Sequence, residues 1–240
     1  MYPNSNHPYI IAEIGINHNG SLDKAIHLIE AAKQCGVDAV KFQKRTPDIC
    51  VPENQKHKIR ETPWGEMSYL DYKKKIELSV SDYEALLEKA RELELDFGYS
   101  AWDLKSLDDL DHLDVDFHKI ASAMATNLEF VDSVVAKNVW VFASTGMTTW
   151  LDIDSLVDSL RKSLGFTLLH TVSTYPAKES SLNLRMIQTL RERYKCDVGY
   201  SGHEASVSPS IFACALGANV IERHFTLNRS DWGTDHAASL

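Results

Sequence analysis

The sequence predicts a (β/α)8 barrel of the TIM type, one α/β domain over residues 1–240 with its last helix short or missing. Three observations carry this. Eight short apolar runs, rich in β-branched or aromatic residues, alternate with seven longer amphipathic stretches. Within those runs, side-chain parity sets charged residues on one face and apolar ones on the other. The length of 240 residues is that of one large domain, close to the roughly 250 usual for such barrels. A doubly wound open sheet is the competing architecture. It usually has fewer strands, and the first turn here has no G-x-G-x-x-G.

The expected strands are Tyr9–Gly15, Ala39–Gln43, Phe97–Ser100, Phe117–Ala121, Val139–Ser144, Phe166–Val172, Val198–Ser201 and Val220–Phe225. The expected helices are Leu22–Cys35, Asp82–Leu95, Leu104–Leu113, Leu128–Lys137, Asp152–Leu164, Leu184–Tyr194 and Val207–Leu216. Ser21 and Ser81 stand where N-caps belong, because a hydroxyl there accepts from a free first-turn amide. Gly36 and Gly217 stand where helices end. The link from Lys44 to Val80 breaks the rhythm. It holds Pro47, Pro52, Pro63, Trp64 and the basic run Lys73–Lys75. A connection of this length is expected to be either a lid or an ordered excursion packed by Trp64 and Tyr69 with its lysines in solvent.

Composition narrows the function classes. There are 25 Lys and Arg against 34 Asp and Glu, a net charge of −9, and 44% hydrophobic residues. That is enough for a sizeable core, and the acidic balance argues against nucleic acid and anionic membranes as partners. Residues 1–8 lack the basic start and apolar run of a signal peptide, and no run of about 18 apolar residues suggests a membrane span. Cys35, Cys50, Cys196 and Cys214 include no CxxC pair and read as reduced thiols. A soluble cytoplasmic protein is expected.

Parity then locates the chemistry. Glu13, Lys41, Gln43, Ser201, Glu222 and His224 point inward, with His203 following at a strand end, whereas Arg223 falls awkwardly on the helix side. Unpaired buried charge costs several kcal/mol, so a merely stable fold would not collect these groups near its axis. The strands bearing them are neighbours in a closed barrel, and their C-terminal ends form the mouth where such barrels hold active sites. Lys41 and Lys119 supply local cations; Lys119 is also a candidate buried partner of Glu13. Hydroxyls cluster at other strand ends: Ser100, Ser122, Ser144, Thr145, Ser173 and Tyr175. Two ammonium groups among small donors suit a phosphate and a carboxylate. His203 and His224 on adjacent strand ends favour a metal site over two unrelated core histidines.

The strand texts resemble one family. Ile11-Ala12-Glu13-Ile14-Gly15-Ile16-Asn17-His18-Asn19-Gly20 is similar to the opening motif of the sialic acid synthases, with their legionaminate and spore-coat relatives. The resemblance continues through Val40-Lys41-Phe42-Gln43, Lys119-Ile120-Ala121-Ser122 and Ser144-Thr145-Gly146-Met147. It resumes at Leu168-Leu169-His170 with Tyr175-Pro176, at Gly199-Tyr200-Ser201-Gly202-His203, and at Ile221-Glu222-Arg223-His224-Phe225-Thr226.

That resemblance implies a condensation of phosphoenolpyruvate with an open-chain N-acetylhexosamine, N-acetylmannosamine or a relative, to a nine-carbon 2-keto-3-deoxy acid and phosphate. It implies a divalent cofactor, most often manganese, with magnesium or cobalt as alternatives, on His203 and His224. Lys41, Lys119, Ser122, Ser144 and Ser201 match positions that hold phosphoenolpyruvate, and Ser173 stands where the family has an Asn with the same task. Gln43, Tyr175 and Asp235 match positions facing the sugar, and Glu13 matches the acid/base position. Ala101 stands where the family often has Thr. The family's C-terminal antifreeze-like domain, whose arginine reaches a partner's sugar site, is not expected within residues 1–240. A homodimer is the expected assembly, since a missing last helix leaves apolar strand flank to cover. Two rival readings remain: a Schiff-base aldolase using Lys41 or Lys119, and a catalytically weak binding or regulatory homologue.

Overall fold

The structure, a computed structural model, describes residues 7–240. In chain order its strands are β1 (Tyr9–Gly15), β2 (Ala39–Lys44), a pair β3 (Ile59–Thr62) and β4 (Gly65–Ser68), then β5 (Asp96–Ala101), β6 (Phe117–Ile120), β7 (Trp140–Ser144), β8 (Gly165–Thr171), β9 (Asp197–Gly202) and β10 (Val220–His224). Eight of them close into a parallel barrel in the order β1-β10-β9-β8-β7-β6-β5-β2, and β3 and β4 form a separate antiparallel hairpin. The helices are α1 (Leu22–Gln34), α2 (Pro47–Cys50), α3 (Glu53–Lys56), α4 (Tyr69–Ile76), α5 (Val80–Glu92), α6 (Leu104–Asp109), α7 (Leu128–Val135), α8 (Trp150–Leu160), α9 (Met186–Tyr194) and α10 (Ser208–Ala215). This is the (β/α)8 barrel expected, and after β10 the described chain forms only a 3-10 turn, His236–Ala238.

Alternation within the strands builds two cores. One parity packs Tyr9, Ile11, Ala39, Phe117, Phe142, Leu169 and Val220 as a plug inside the ring. The other parity packs Ala12, Ile14, Val40, Phe42, Phe97, Val141, Leu168, Val198 and Ile221 against Leu28, Leu86, Val131, Leu156 and Leu190 of the helices. Each Val, Leu, Ile or Phe among them, fully buried, contributes about 1.5–3 kcal/mol. The plug parity continues upward into Glu13, Lys41, Lys119, Ser144, Thr171, Ser201, Glu222 and His224, all buried. Polar residues therefore crown an apolar plug at the C-terminal mouth.

Local signals explain most boundaries. Ser21 caps α1 by accepting from the Lys24 amide at 3.2 Å, and Gly36 and Gly217, both at positive φ, follow α1 and α10. Helix α5 is capped by Ser79, not Ser81: Ser79 and Asp82 form a reciprocal capping box, and Ser81 only bonds to the Ser79 hydroxyl at 2.9 Å. Thr149 and Asp152 make the same box at α8, which starts earlier than the apolar pattern suggests.

The link between β2 and α5 is an ordered excursion. Ser68 caps α4 after the hairpin. Trp64 meets Trp232 edge-on at 6.1 Å, and Trp232 meets Tyr72 at 5.0 Å, joining the excursion to the segment after β10. The packing role expected of Trp64 is present, but the lysines are not simply in solvent. Lys73 lies over Tyr69 and Tyr72, Lys75 over Trp64, and Lys74 pairs with Asp48 at 2.8 Å. The segment after β10 returns to the barrel: the Leu240 amide donates to His224 O at 2.8 Å, and Asn17 Nδ2 donates to Phe225 O at 2.9 Å.

Arg223 does take the helix side of β10, and the structure shows why that is tolerated. Its guanidinium pairs with buried Glu204 at 3.0 Å and donates to Ser206 O at 3.0 Å and Ser210 Oγ at 2.8 Å. The Tyr200 hydroxyl donates to the second Glu204 oxygen at 2.7 Å. Of the guanidinium nitrogens only the buried Nε is left without a hydrogen-bond partner, so the paired acid and the remaining bonds offset much of the desolvation cost that an isolated charge would carry.

Candidate active site

The crown encloses a cavity of about 140 Å³ lined by Glu13, Lys41, Gln43, Lys119, Ser122, Ser144, Ser173, Tyr175, Ser201, His203 and His224, all singled out from the sequence. Ser100 and Glu222 line it as well. Asp235 lies behind this wall on the segment after β10, its Oδ2 3.7 Å from His224 Nδ1. Parity did not reach Thr171, Trp102, Met147, Ala121 and Ala123, which complete the lining.

Strand register makes the first pair. Glu13 sits opposite Lys41 across β1 and β2 and opposite His224 across β1 and β10. Lys41 Nζ is 2.5 Å from Glu13 Oε2 and donates to Ser100 Oγ at 2.9 Å. Gln43 Nε2 donates to the other Glu13 oxygen at 2.5 Å, so both carboxylate oxygens are held. Lys119 is therefore not the partner of Glu13. From β6 it reaches Glu222 on β10 at 3.7 Å and donates to Ser144 Oγ at 2.8 Å, because the neighbouring strand has already supplied Glu13 with Lys41. Ser201 donates to Glu222 Oε1 at 3.3 Å, and the Thr171 hydroxyl lies 3.1 Å from Ser144 Oγ.

Electrostatics follow from this burial. Burial pushes the Lys119 ammonium below the ordinary lysine range, partly offset by Glu222. Burial would raise the Glu222 carboxyl, but Lys119 and Lys41, with the two histidines, hold it below the ordinary carboxylate range. The site thus keeps two cations near two carboxylates, with hydroxyls between them. An anion entering here finds ammonium groups already desolvated and aimed inward.

His203 Nδ1 donates to Val172 O at 2.8 Å, since a carbonyl can only accept. Its Nε2 therefore carries the lone pair and accepts from the Tyr175 hydroxyl at 2.8 Å. Burial, with His224 nearby, pushes its pKa down to about 4, so the ring is neutral near pH 7. The His203 and His224 rings are 5.5 Å apart, and buried His224 Nδ1 has no hydrogen-bond partner. A carbonyl-oriented imidazole and an orphaned ring nitrogen fit a divalent cation. Among the described residues no group of three or more His, Cys, Asp and Glu could hold an ion unaided. The chain would supply the two imidazoles, and substrate and water the remaining positions.

Gly146 is where backbone closeness matters. A Cβ there would collide with Ser173 Oγ and come within 2.7 Å of Ser122 Oγ. Its lack of a side chain lets both hydroxyls converge beside Ser144.

The sequence profile of the NeuB family matches residues 28–240. The chain belongs to the NeuB family. It is 38% identical over 238 residues to an N,N'-diacetyllegionaminic acid synthase of Campylobacter jejuni, covering 96% of this chain and 71% of that protein. It is 38% identical over 237 residues to the N-acetylneuraminate-9-phosphate synthase of Drosophila melanogaster, covering 97% of this chain and 63% of the relative. Among solved structures of the same kind, a sialic acid synthetase from Leptospira borgpetersenii, in complex with citrate, superposes with a TM-score of 0.89 at 30% identity. That match covers 98% of this chain and 79% of the other. The NeuB chain described here thus spans from under two thirds to about four fifths of the length of these proteins.

Proposed function

We propose that this NeuB-family barrel condenses phosphoenolpyruvate with the open-chain form of an N-acetylhexosamine-type aldose, N-acetylmannosamine or a relative. The products are a nine-carbon 2-keto-3-deoxy sugar acid and phosphate. One observation carries the reading: Lys41 and Lys119, each beside a carboxylate and a serine hydroxyl, face one small cavity at the barrel mouth. A substrate bearing both phosphate and carboxylate matches two inward cations and a ring of short donors. The names of the relatives, synthases of sialic-type sugar acids, support it further.

In this mechanism C3 of phosphoenolpyruvate forms a bond to the aldehyde carbon, and the aldehyde oxygen takes a proton. Water adds to the resulting cationic C2 and gives up a proton, and the C2–O bond to phosphate then breaks as the new C2 hydroxyl passes its proton to the departing phosphate, leaving the ketone. Lys41 and Lys119 stabilise the anionic oxygens throughout, being fixed before the reaction begins. Ser122, Ser144, Ser173 and Ser201 orient the phosphate and carboxylate. Glu13, held by Gln43 and Lys41 at one edge of the cavity, transfers the proton at the aldehyde oxygen or the water. Gln43 and Tyr175 line the path of the sugar, and Asp235 stands outside the cavity lining, 3.7 Å from His224 Nδ1. A divalent ion on His203 and His224, manganese in the first instance, would supply Lewis-acid polarisation of the aldehyde.

The test is phosphate release from phosphoenolpyruvate with a panel of hexosamines, the product masses being recorded. Release with a product of the summed mass of both substrates plus one water less phosphoric acid is expected, lost in EDTA and restored by Mn²⁺. Full activity in EDTA would remove the metal, and no release with any sugar would overturn the reading. A Schiff-base aldolase has one observation in its favour, the burial that lowers the Lys119 ammonium. Borohydride with pyruvate separates the two: no adduct is expected, and a trapped Lys119 would favour the aldolase. Gly146→Ala should raise the KM for phosphoenolpyruvate by about tenfold, as expected for losing one or two hydrogen bonds worth ~1 kcal/mol each. Unchanged saturation kinetics would take Ser122 and Ser173 out of the phosphate cradle.

A further inference from the structure

Each of the two cavity imidazoles is next in sequence to one half of a buried ion pair. His203 precedes Glu204, and Arg223 precedes His224. His203 and His224 line the cavity, whereas Glu204 and Arg223 are buried outside its lining. The register of β9 with β10 ends where Gly202 faces Arg223. His203 lies one residue past that point, so no ladder pair sets its distance from His224.

The guanidinium takes over where the ladder stops. Its Nη1 lies 3.0 Å from Glu204 Oε1, and its Nη2 donates to the Glu204 carbonyl oxygen at 2.5 Å. Glu204 is thus gripped by side chain and backbone together. Nη1 also donates to Ser206 O and Ser210 Oγ, so the loop from β9 to α10 folds around one charged fork. Gly202 leaves space for the carboxylate: a Cβ there would lie 2.9 Å from both Glu204 oxygens and 2.6 Å from Tyr200 Cε1. The outer flanks are anchored separately. The Ala177 amide donates to His203 O at 3.0 Å, and the Leu240 amide donates to His224 O at 2.8 Å. The Glu204–Arg223 contact ties these two flanks to each other.

Stability is a poor reason for such a pair. Apolar residues of similar volume often do as well in a buried site, and here Glu204 Oε1 and Arg223 Nε have no hydrogen-bond partner. What apolar packing does not supply is a directional contact at a set distance. We propose that Glu204 and Arg223 are positioning residues, which from behind the strands hold His203 and His224 at their 5.5 Å ring separation for one shared divalent ion. This rests on the metal reading of the two imidazoles. Groups that orient metal ligands without touching the ion typically change affinity by about 10–100-fold.

The test titrates Mn²⁺ into the full chain, the free ion being followed by electron paramagnetic resonance. Arg223→Met/Glu204→Leu removes the pair but fills its space, so most of the melting temperature should be kept while Mn²⁺ affinity falls about 10–100-fold. Gly202→Ala keeps both charges and displaces the carboxylate; it should weaken Mn²⁺ by about tenfold. A purely structural pair predicts the opposite, affinity recovering with the melting temperature. Mn²⁺ affinity within about threefold of wild type, well short of that range, overturns the clamp; if the double variant does not fold, Gly202→Ala meets the same limit. Metal-free crystal structures give a second readout. The ring separation in either variant should differ from wild type by about 0.5 Å or more, the tolerance of a positioned site, and an unchanged separation also overturns the clamp. Wild-type protein that binds no Mn²⁺, or binding that survives His203→Ala/His224→Ala, would bring down the metal reading, and the ring separation would then decide the clamp alone. Binding lost in the histidine variant but intact in Arg223→Met/Glu204→Leu would do the reverse.

Discussion

Replacing Glu13 by Gln should lower turnover by about 10²–10⁴-fold, the range expected when one positioned acid/base group is lost. The exchange keeps the shape but removes the charge, the ability to move a proton and one of the two acceptor oxygens, so the Gln43 amide that donates to Glu13 Oε1 at 2.5 Å loses its partner. The substituted amide still offers an oxygen to the Lys41 ammonium, and Lys41 keeps its bond to Ser100 Oγ at 2.9 Å. With the carboxylate gone, Lys41 has no resident anion to leave when phosphoenolpyruvate arrives. The KM for phosphoenolpyruvate is therefore expected to stay level or fall while kcat collapses. Steady-state kinetics with circular dichroism of the variant check this, and wild-type kcat in a folded Glu13→Gln protein would remove Glu13 from the chemistry.

The largest stability effect is expected at Arg223. Its guanidinium is 6% exposed and its partner Glu204 fully buried, so Arg223→Met strands a carboxylate in the wall between β9, β10 and α10. Breaking one side of a buried pair typically costs about 3–5 kcal/mol. At roughly 2–4 °C per kcal/mol for a chain of this size, Tm should fall by about 6–20 °C. Adding Glu204→Leu should recover most of the loss, because the stranded charge goes with it. Thermal unfolding of the single and double variants measures both, and a single variant within about 2 °C of wild type, the shift expected from no more than 1 kcal/mol, would show that the pair contributes little. Glu204 directly follows His203, so the single variant should also disturb the site.

Much of the fold was legible because a barrel repeats one simple rule. Strand alternation put Glu13, Lys41, Gln43, Ser201, Glu222 and His224 inward; all six line the cavity, and all but the half-buried Gln43 are buried. Pairing partners were harder: Lys119 could be assigned to the cavity but not to Glu222, since reaching across a ring depends on side-chain length rather than strand order. Thr171 was missed although it shares the inward parity of Thr167 and Leu169, and the same alternation would have found it. Ser79 was passed over for Ser81, where the spacing of Ser79 to Asp82 was the better cap signal. Trp102 lies beyond any strand, where no periodicity predicts which side chains converge. The hairpin of β3 and β4 was likewise hidden, its strands being short and largely exposed.

The ring closes by joining β1 to β10, with Glu13 set against His224. On the ribosome, an emerging polypeptide therefore holds its proton-transfer group from the first strand onward and must wait for the tenth to receive the imidazole beside it. Contacts of such long sequence separation slow folding. Until then the apolar plug has a gap in its wall, which only the arrival of β10 covers.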